Sequence, residues 1–343
     1  MAMLRDYWPV DGWRAAPPDA HGMDGAQLEK ARAALIVQAP HMTSLLVVRG
    51  GYLVAEWYAG GTAPDTLHNV MSVTKSVLSL LVGIAVQTGD LGGLDDTLGD
   101  LLPERFTSSS DARKRAITVR DLLCMRSGLA WEEYGSSTVE MTSSRDWVRY
   151  VLDRELKSDP GERYNYSTGD AQLLSAMLAR ATGMTALAFA DLYLFGPLGI
   201  ERRTWPADPQ GVTVGGAELA LTQRDMAKIG YLALNEGQWV DGALVPAPWI
   251  AESFQPQAQV VPPGARNCPP ISYGYSWWLR PQGDFASAMA VGYGGQYIYV
   301  IPECDLVVVM TGDPSSPPKP FRSNRMLCEF NFVEDMIIPA VEA

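Results

Sequence analysis

Strand-forming runs lie near both ends of this chain, and a long stretch between them lacks such runs. Near the N-terminus, residues 44–49 and 52–58 flank Gly50 and Gly51, a pattern typical of a β-hairpin. Near the C-terminus, four runs rich in Val, Ile, Tyr and Trp occur at 273–279, 286–291, 296–301 and 306–311. Because both ends supply strands, we expect one antiparallel sheet built from both chain ends and flanked by helices.

The middle of the chain favours helices. Amphipathic segments occur at 145–156, 169–181 and 185–195, and further helices are expected at 25–38 after Asp24, at 223–234 after Thr222 and within 321–338. The sequence therefore predicts an α/β (α+β) fold in two parts. Residues 1–75 and 208–343 form a discontinuous α/β sheet domain, and residues 76–207 form an inserted all-helical domain.

The charge balance excludes one class of partner. The chain has 27 Lys and Arg against 39 Asp and Glu, a net charge of -12. Phosphate contacts require Lys and Arg, so we expect no nucleic acid. No window approaches the roughly 20 apolar residues that span a bilayer, and the N-terminus has no secretory apolar core. We therefore expect a cytoplasmic protein without a membrane partner, and the sequence leaves open a homodimer.

The cysteines and histidines do not suggest a bound metal. None of the four cysteines, Cys124, Cys268, Cys304 and Cys328, belongs to a Cys-x-x-Cys pair. In a chain of 343 residues they are expected to be reduced and mostly buried rather than disulfide-bonded. No cluster of His and Cys stands out, so we expect neither a metal nor a cofactor.

One serine and one lysine carry the strongest chemical signal. Ser72 and Lys75 lie three apart at the head of the apolar run 69–83, where a helix places both on one face. Ser-x-x-Lys is an acyl-transfer motif. Burial lowers a lysine pKa and makes a usable base, and a serine N–H at a helix start can hold an oxyanion. The alternative is an exposed cap with a solvated lysine. A second match, Ser316 to Lys319, contains two prolines that disfavour a helix.

Other candidates follow from the residues after Ser72. All three histidines precede it, which excludes the Ser, Asp/Glu, His order of α/β-hydrolases. Tyr166, on a turn before an apolar helix, is a candidate proton relay with a pKa lowered by the lysine, or else a core aromatic. Gly294 and Gly295 begin a strand whose N–H, from Tyr293 or Gln296, can complete an oxyanion hole, or they form a plain hairpin turn.

This order of motifs resembles the serine β-lactamase and penicillin-binding protein superfamily. The resemblance is to its class C-like branch, with its esterases, D-amino-acid peptidases and 6-aminohexanoate oligomer hydrolases, and it runs through 68–76, 120–129, 160–166, 221–230 and 292–302. Two positions depart from the family pattern. Thr168 replaces the usual asparagine after Tyr166, and the Tyr293-Gly294-Gly295 sequence replaces Lys-Thr-Gly or His-Thr-Gly. These departures argue against efficient lactam hydrolysis.

The resemblance implies a sheet with a helical insertion and a serine hydrolase that acts through an acyl-enzyme on a small ester or amide. Ser72 is then the nucleophile, with Lys75 and Tyr166 transferring protons. Thr168 and the glycine segment, from Tyr293 to Gln296, border the substrate. Tyr134 lines the pocket rim, unless it is a simple loop aromatic. The alternatives are an acyltransferase, a D-stereospecific peptidase or a weak β-lactamase on the same site, and a non-catalytic binding or scaffold relative.

Overall fold

The computed structural model describes residues 5–108, 111–260, 268, 270–282, 285–315, 317–323 and 325–341. Two parts of the chain considered in the sequence analysis lie outside these ranges: Ser316 of the second Ser-x-x-Lys sequence, and residues 1–4 at the N-terminus.

Eight strands form one antiparallel sheet to which both chain ends contribute. Across the sheet the order is β2-β1-β12-β11-β10-β9-β8-β7, with the strand ranges given below, and two pairs of two-residue strands, β3-β4 and β5-β6, form separate small sheets. The large-sheet strands are β1 Met42–Arg49, β2 Tyr52–Tyr58, β7 Ala258–Val260, β8 Ile271–Tyr273, β9 Trp278–Gln282, β10 Phe285–Gly292, β11 Gln296–Ile301 and β12 Leu306–Gly312. The short strands are β3 His68–Asn69, β4 Ala220–Leu221, β5 Gln238–Trp239 and β6 Gly242–Ala243.

Most of the described α-helices lie along the chain between the two groups of strands. The helices are α1 Gly25–Gln38, α2 Val73–Thr88, α3 Leu98–Leu101, α4 Ala112–Arg115, α5 Val119–Leu123, α6 Ser137–Ser143, α7 Trp147–Asp153, α8 Thr168–Thr182, α9 Ala186–Ala190, α10 Gln223–Leu234, α11 Ala247–Ser253 and α12 Met326–Glu329. The expected starts of α1 and α10 are confirmed: the Asp24 and Thr222 side chains accept from backbone N–H groups in the first turn.

Both faces of the sheet are covered. Successive residues of a strand point to opposite faces, so Ile298 packs in one core while Tyr297 and Tyr299 pack in the other. The first core contains α2, α8 and α10, and the second contains α1 and the C-terminal segment. Helix α2 is buried along most of its length, from Val73 to Ala85. Its N-terminal end is therefore held against the sheet by the largest core of the protein.

Two segments that were predicted as single elements are each divided into shorter elements in the structure. The run 273–279 is two strands, because the chain leaves the sheet between them: Ser276 has φ +61° and its N–H donates to the Leu123 carbonyl. A Cβ at Gly274 would lie 2.0 Å from the Ser253 carbonyl oxygen. The last helical segment, 321–338, is a series of short helices: Lys319–Arg322, Met326–Glu329 and Val333–Ile337.

The expectation of four reduced cysteines is wrong for two of them. Cys268 and Cys328 form a disulfide that joins the approach to β8 to the C-terminal helix α12, with their Cα atoms 4.7 Å apart. Cys124 and Cys304 are free and buried. Sixty positions separate the bonded pair, and sequence spacing alone gave no sign that the sheet edge and the C-terminal segment meet there.

Within the described ranges, no single helix has both the length and the apolar character needed to cross a membrane. One bent helix pair, Thr168–Thr182 with Ala186–Phe195, passes when tested together on length and composition.

Candidate active site

Ser72 stands at the start of α2 behind a strained residue. Met71 has φ +51°, a left-handed conformation that a residue with a long side chain rarely adopts. Its N–H is held by the Asn69 side-chain oxygen at 2.9 Å. Strained backbone of this kind persists where the surrounding structure enforces it, and it is frequent at functional sites. The turn directs the N-terminal end of α2, with Ser72 as its N-cap, toward the glycine turn that follows β10.

Lys75 is completely buried one turn into the helix. Its Nζ donates to three oxygens: Ser72 Oγ at 2.9 Å, Thr168 Oγ1 at 3.0 Å and the Gly216 carbonyl at 2.8 Å. Only 1% of its surface is exposed. Desolvation lowers the pKa of Lys75 to about 8, and the charge of Glu133 acts in the opposite direction. A buried amine in contact with a serine hydroxyl can accept the proton of that hydroxyl near neutral pH.

Tyr166 lies beside the same lysine. The Lys75 Nζ is 5.0 Å from the centre of its ring, and the ring packs against Tyr273 and Trp278. The expected lowering of its pKa is wrong. Burial raises the pKa of the Tyr166 phenol well above its usual value, Tyr273 and Glu133 add to the effect, and hydrogen bonding to Ser72 only partly opposes it. Desolvation is therefore the largest influence on this phenol, which is neutral and carries a proton that it can donate.

Thr168 and Glu133 complete the surroundings of the lysine. Thr168 is the first residue of α8, and its hydroxyl donates to Glu133 Oε1 at 2.7 Å while it accepts from Lys75. Glu133 Oε2 accepts from the Thr168 N–H at 2.8 Å and from the Trp131 indole at 2.7 Å. Glu133 was not among the site residues predicted from the sequence. Its only signal there was its position beside Tyr134, in the loop before α6.

The glycine segment is a tight turn between β10 and β11 rather than the first residues of a strand. Gly294 and Gly295 have φ +80° and +94°, which strain any residue with a side chain. The preceding Gly292 packs directly on the turn before the serine. A Cβ on it would lie 2.4 Å from the Val70 carbonyl oxygen and 3.0 Å from Met71 Cβ. Glycine at this position lets the strand end approach the start of α2.

Hydrogen bonds within the glycine turn narrow the choice of the N–H group that could complete an oxyanion hole. Within the described turn, the Gly294 N–H donates to the Phe321 carbonyl and the Gly295 N–H to the Gly292 carbonyl. Gln296 pairs with Gly292 in the sheet, and its buried side chain donates to the Gly312 carbonyl at 2.7 Å. The buried Gln296 side chain thus connects the glycine turn to the end of β12 and points away from solvent. Tyr293, which is 36% exposed, is the residue of this segment that faces outward.

Tyr134 lies at the edge of this group. It is 52% exposed, and its charge influences the pKa of both Tyr164 and Tyr166. This position is compatible with a pocket rim. Among the described residues, no group of three or more His, Cys, Asp or Glu side chains is arranged to hold a metal ion.

Comparison with known proteins gives a consistent result. The sequence profile of the family named Beta-lactamase matches residues 33–327. A 6-aminohexanoate-dimer hydrolase from Paenarthrobacter ureafaciens is 26% identical over 291 residues, which cover 78% of this chain and 71% of the relative. Esterase EstB from Burkholderia gladioli is 30% identical over 209 residues, which cover 53% of each chain.

Solved structures share the fold at lower identity. A protein from Bacillus anthracis, provisionally named a 6-aminohexanoate-dimer hydrolase, superimposes with a TM-score of 0.77 at 19% identity, covering 95% of this chain and 86% of its own. An octameric penicillin-binding protein homologue from Pyrococcus abyssi gives a TM-score of 0.69 at 19% identity, covering 93% and 78%. The antiparallel sheet with flanking helices is therefore the fold of this group of proteins.

Proposed function

The chain belongs to the beta-lactamase family, and from this premise we propose that it is a serine hydrolase that cleaves small esters or amides through an acyl-enzyme on Ser72. The observation that carries the proposal is the contact between Ser72 Oγ and a fully buried Lys75. The relatives named as a 6-aminohexanoate-dimer hydrolase and as an esterase support this class of substrate.

In the first half-reaction, neutral Lys75 takes the hydroxyl proton of Ser72 as the Ser72 oxygen bonds to the substrate carbonyl carbon. The carbonyl oxygen becomes negatively charged and accepts from the N–H groups of Ser72 and Tyr293. Two observations favour the Tyr293 N–H. The N–H groups of Gly294 and Gly295 already donate to backbone carbonyls, and Gly292 brings this turn against the residues before Ser72. Backbone donors fixed in advance cost no reorganisation when the charge develops.

Collapse of this intermediate breaks the bond to the alcohol or amine. The leaving group takes a proton from the Tyr166 hydroxyl, and the Lys75 ammonium returns a proton to Tyr166. The neutral state of Tyr166 suits this donor role, since burial raises its pKa. Water then attacks the acyl-serine and gives a proton to the same pair, and Ser72 leaves with a proton restored. Atoms and charges balance over the cycle, and no cofactor is needed.

The pocket has chemical features that bear on the substrate. Tyr166 hydrogen-bonds to Ser72, its ring packs on the aromatic side chains of Tyr273 and Trp278, and the carboxylate of Glu133 is connected to Lys75 through Thr168. The Tyr293-Gly294-Gly295 segment itself carries neither the Lys nor the His with which relatives of the β-lactamase kind hold a substrate carboxylate. We therefore propose that uncharged esters and amides are preferred over β-lactams, which carry a carboxylate.

A substrate panel tests this function. Short-chain p-nitrophenyl esters, anilides and a chromogenic cephalosporin are compared for the wild type and Ser72→Ala. We expect ester or amide turnover well above that of the cephalosporin, and loss of all turnover in Ser72→Ala. Wild-type turnover by Ser72→Ala would exclude Ser72 as the nucleophile. Added alcohols or amines would reveal acyl transfer by forming a new ester or amide in competition with hydrolysis.

A further inference from the structure

We propose that Glu133 is a positioning residue that orients the Thr168 hydroxyl so that the lone pair of neutral Lys75 points at Ser72. This inference rests on the proposed function, in which Lys75 is the base. It assigns a task to a carboxylate that does not itself touch the reacting atoms.

Lys75 Nζ has more oxygen neighbours than a neutral amine has N–H groups. A neutral amine has two N–H groups and one lone pair, whereas three oxygens lie within 3.0 Å of Nζ. The Gly216 carbonyl can only accept, so it takes one N–H. If Thr168 Oγ1 accepts the other, the lone pair is left for the hydroxyl proton of Ser72. If the Thr168 hydroxyl instead donates to Nζ, it uses up the lone pair and Ser72 loses its base.

The direction of the Thr168 hydroxyl therefore decides the state of the base. An ionised carboxylate is acceptor-only, so Glu133 Oε1, 2.7 Å from Thr168 Oγ1, attracts the hydroxyl proton away from the lysine. The carboxylate is itself held in place. Its second oxygen accepts from the Trp131 indole and the Thr168 N–H, which leaves Oε1 facing the hydroxyl.

The same contacts predict what an amide would do at this position. In Glu133→Gln, the two donors that face Oε2 select the carbonyl oxygen of the amide for that place. The NH2 group then faces Thr168 Oγ1 and donates to it. The Thr168 hydroxyl proton is driven toward Lys75 Nζ, so an isosteric change reverses the direction of the whole hydrogen-bond chain.

Electrostatics alone predicts a different outcome. The charge of Glu133 raises the pKa of Lys75, against the larger effect of desolvation. Among the described residues, the phenol of Tyr166 also lies beside the amine with Tyr273 packed behind it, and burial raises the pKa of both phenols, which keeps them neutral. Removing the Glu133 charge should shift the acid limb of the rate profile to lower pH, which by itself would increase activity at neutral pH. Reversal of the hydrogen bonds should instead lower the plateau at high pH.

The experiment measures kcat for a p-nitrophenyl ester from pH 6 to pH 9.5. We expect Glu133→Gln to lower the plateau at least tenfold while its acid limb moves to lower pH. Thr168→Val, which has no hydroxyl to turn toward the lysine, should make the plateau insensitive to Glu133→Gln. The plateau of the double variant should therefore match that of Thr168→Val and exceed that of Glu133→Gln. Thr168→Ser keeps a hydroxyl and should remain sensitive.

Matched controls separate this role from a structural one. Glu132→Gln removes the same charge from the neighbouring exposed residue and should leave the plateau unchanged. Glu133→Asp keeps an acceptor-only group and should exceed Glu133→Gln, and circular dichroism checks the fold of each variant. The inference is overturned if Glu133→Gln keeps its plateau within twofold of wild type, if the double variant shows additive losses, or if Asp is no better than Gln. Turnover that survives Ser72→Ala would instead overturn the proposed function.

Discussion

The pH dependence of turnover should follow the neutral form of Lys75. With a pKa of about 8, roughly one molecule in eleven has a neutral Lys75 at pH 7. At the ordinary pKa of 10.5 the fraction would be roughly one in 3,000, so burial increases the neutral fraction of Lys75 about 300-fold at pH 7. If Lys75 is the base, activity should be lost as pH falls, because the protonated amine has no lone pair. We therefore expect kcat/KM to fall about tenfold per unit below pH 8 and to level off above it.

The assay follows p-nitrophenol release at its isosbestic wavelength between pH 5.5 and pH 9.5, with Lys75→Met in parallel. The methionine variant keeps a chain of similar length without an amine, and it should lose about 10²- to 10⁴-fold in kcat, the range of a general base. A wild-type profile that stays flat from pH 6.5 to pH 9, or a Lys75→Met variant with near-normal turnover, would refute the assignment of Lys75 as the base.

Three further predictions concern the scaffold of the site. Gly292→Ala should lower ester turnover at least tenfold and destabilise the fold by about 1–3 kcal/mol, because the alanine Cβ would overlap the Val70 carbonyl oxygen. Normal turnover of this variant would count against the close approach of β10 to the residues before Ser72. Asp170 is buried and burial raises its pKa to about 7, so its stabilising effect is present at low pH and lost as pH rises through 7. Urea unfolding at pH 5 and pH 8 should show a smaller loss of stability in Asp170→Asn than in wild type, and equal losses would contradict this. Reducing the disulfide of Cys268 and Cys328, 60 positions apart, should cost about 2–4 kcal/mol; an unchanged thermal midpoint in dithiothreitol would argue that the bond is absent.

Local pattern predicted much of the fold. The hairpin of β1 and β2, the capped helices α1 and α10, and the strands β10, β11 and β12 lie where periodicity and turn residues indicated. These elements have their signals within a few residues of one another. The strand break at Ser276 does not, because it depends on contacts with Leu123 and Ser253, which are distant in sequence.

The site was predictable only in part, for the same reason. Ser72 and Lys75 are three residues apart, so helical geometry alone brings them together. Glu133 reaches the lysine through Thr168, 35 positions away, and no local pattern marks such a contact. The predicted direction of the Tyr166 pKa shift was wrong, because the prediction considered the neighbouring lysine charge and not the burial of the ring. The division into two domains, a cytoplasmic location and a homodimer stay predictions.

The central claim is that Ser72 forms a covalent acyl-enzyme, and mass spectrometry of the trapped protein tests it most directly. The wild type is treated with a fluorophosphonate probe and, separately, mixed rapidly with a p-nitrophenyl ester and quenched in acid. Digestion then locates the added mass. We expect one adduct per chain, on Ser72, and none in Ser72→Ala. Adducts on another residue, or equal labelling of Ser72→Ala, would contradict the account.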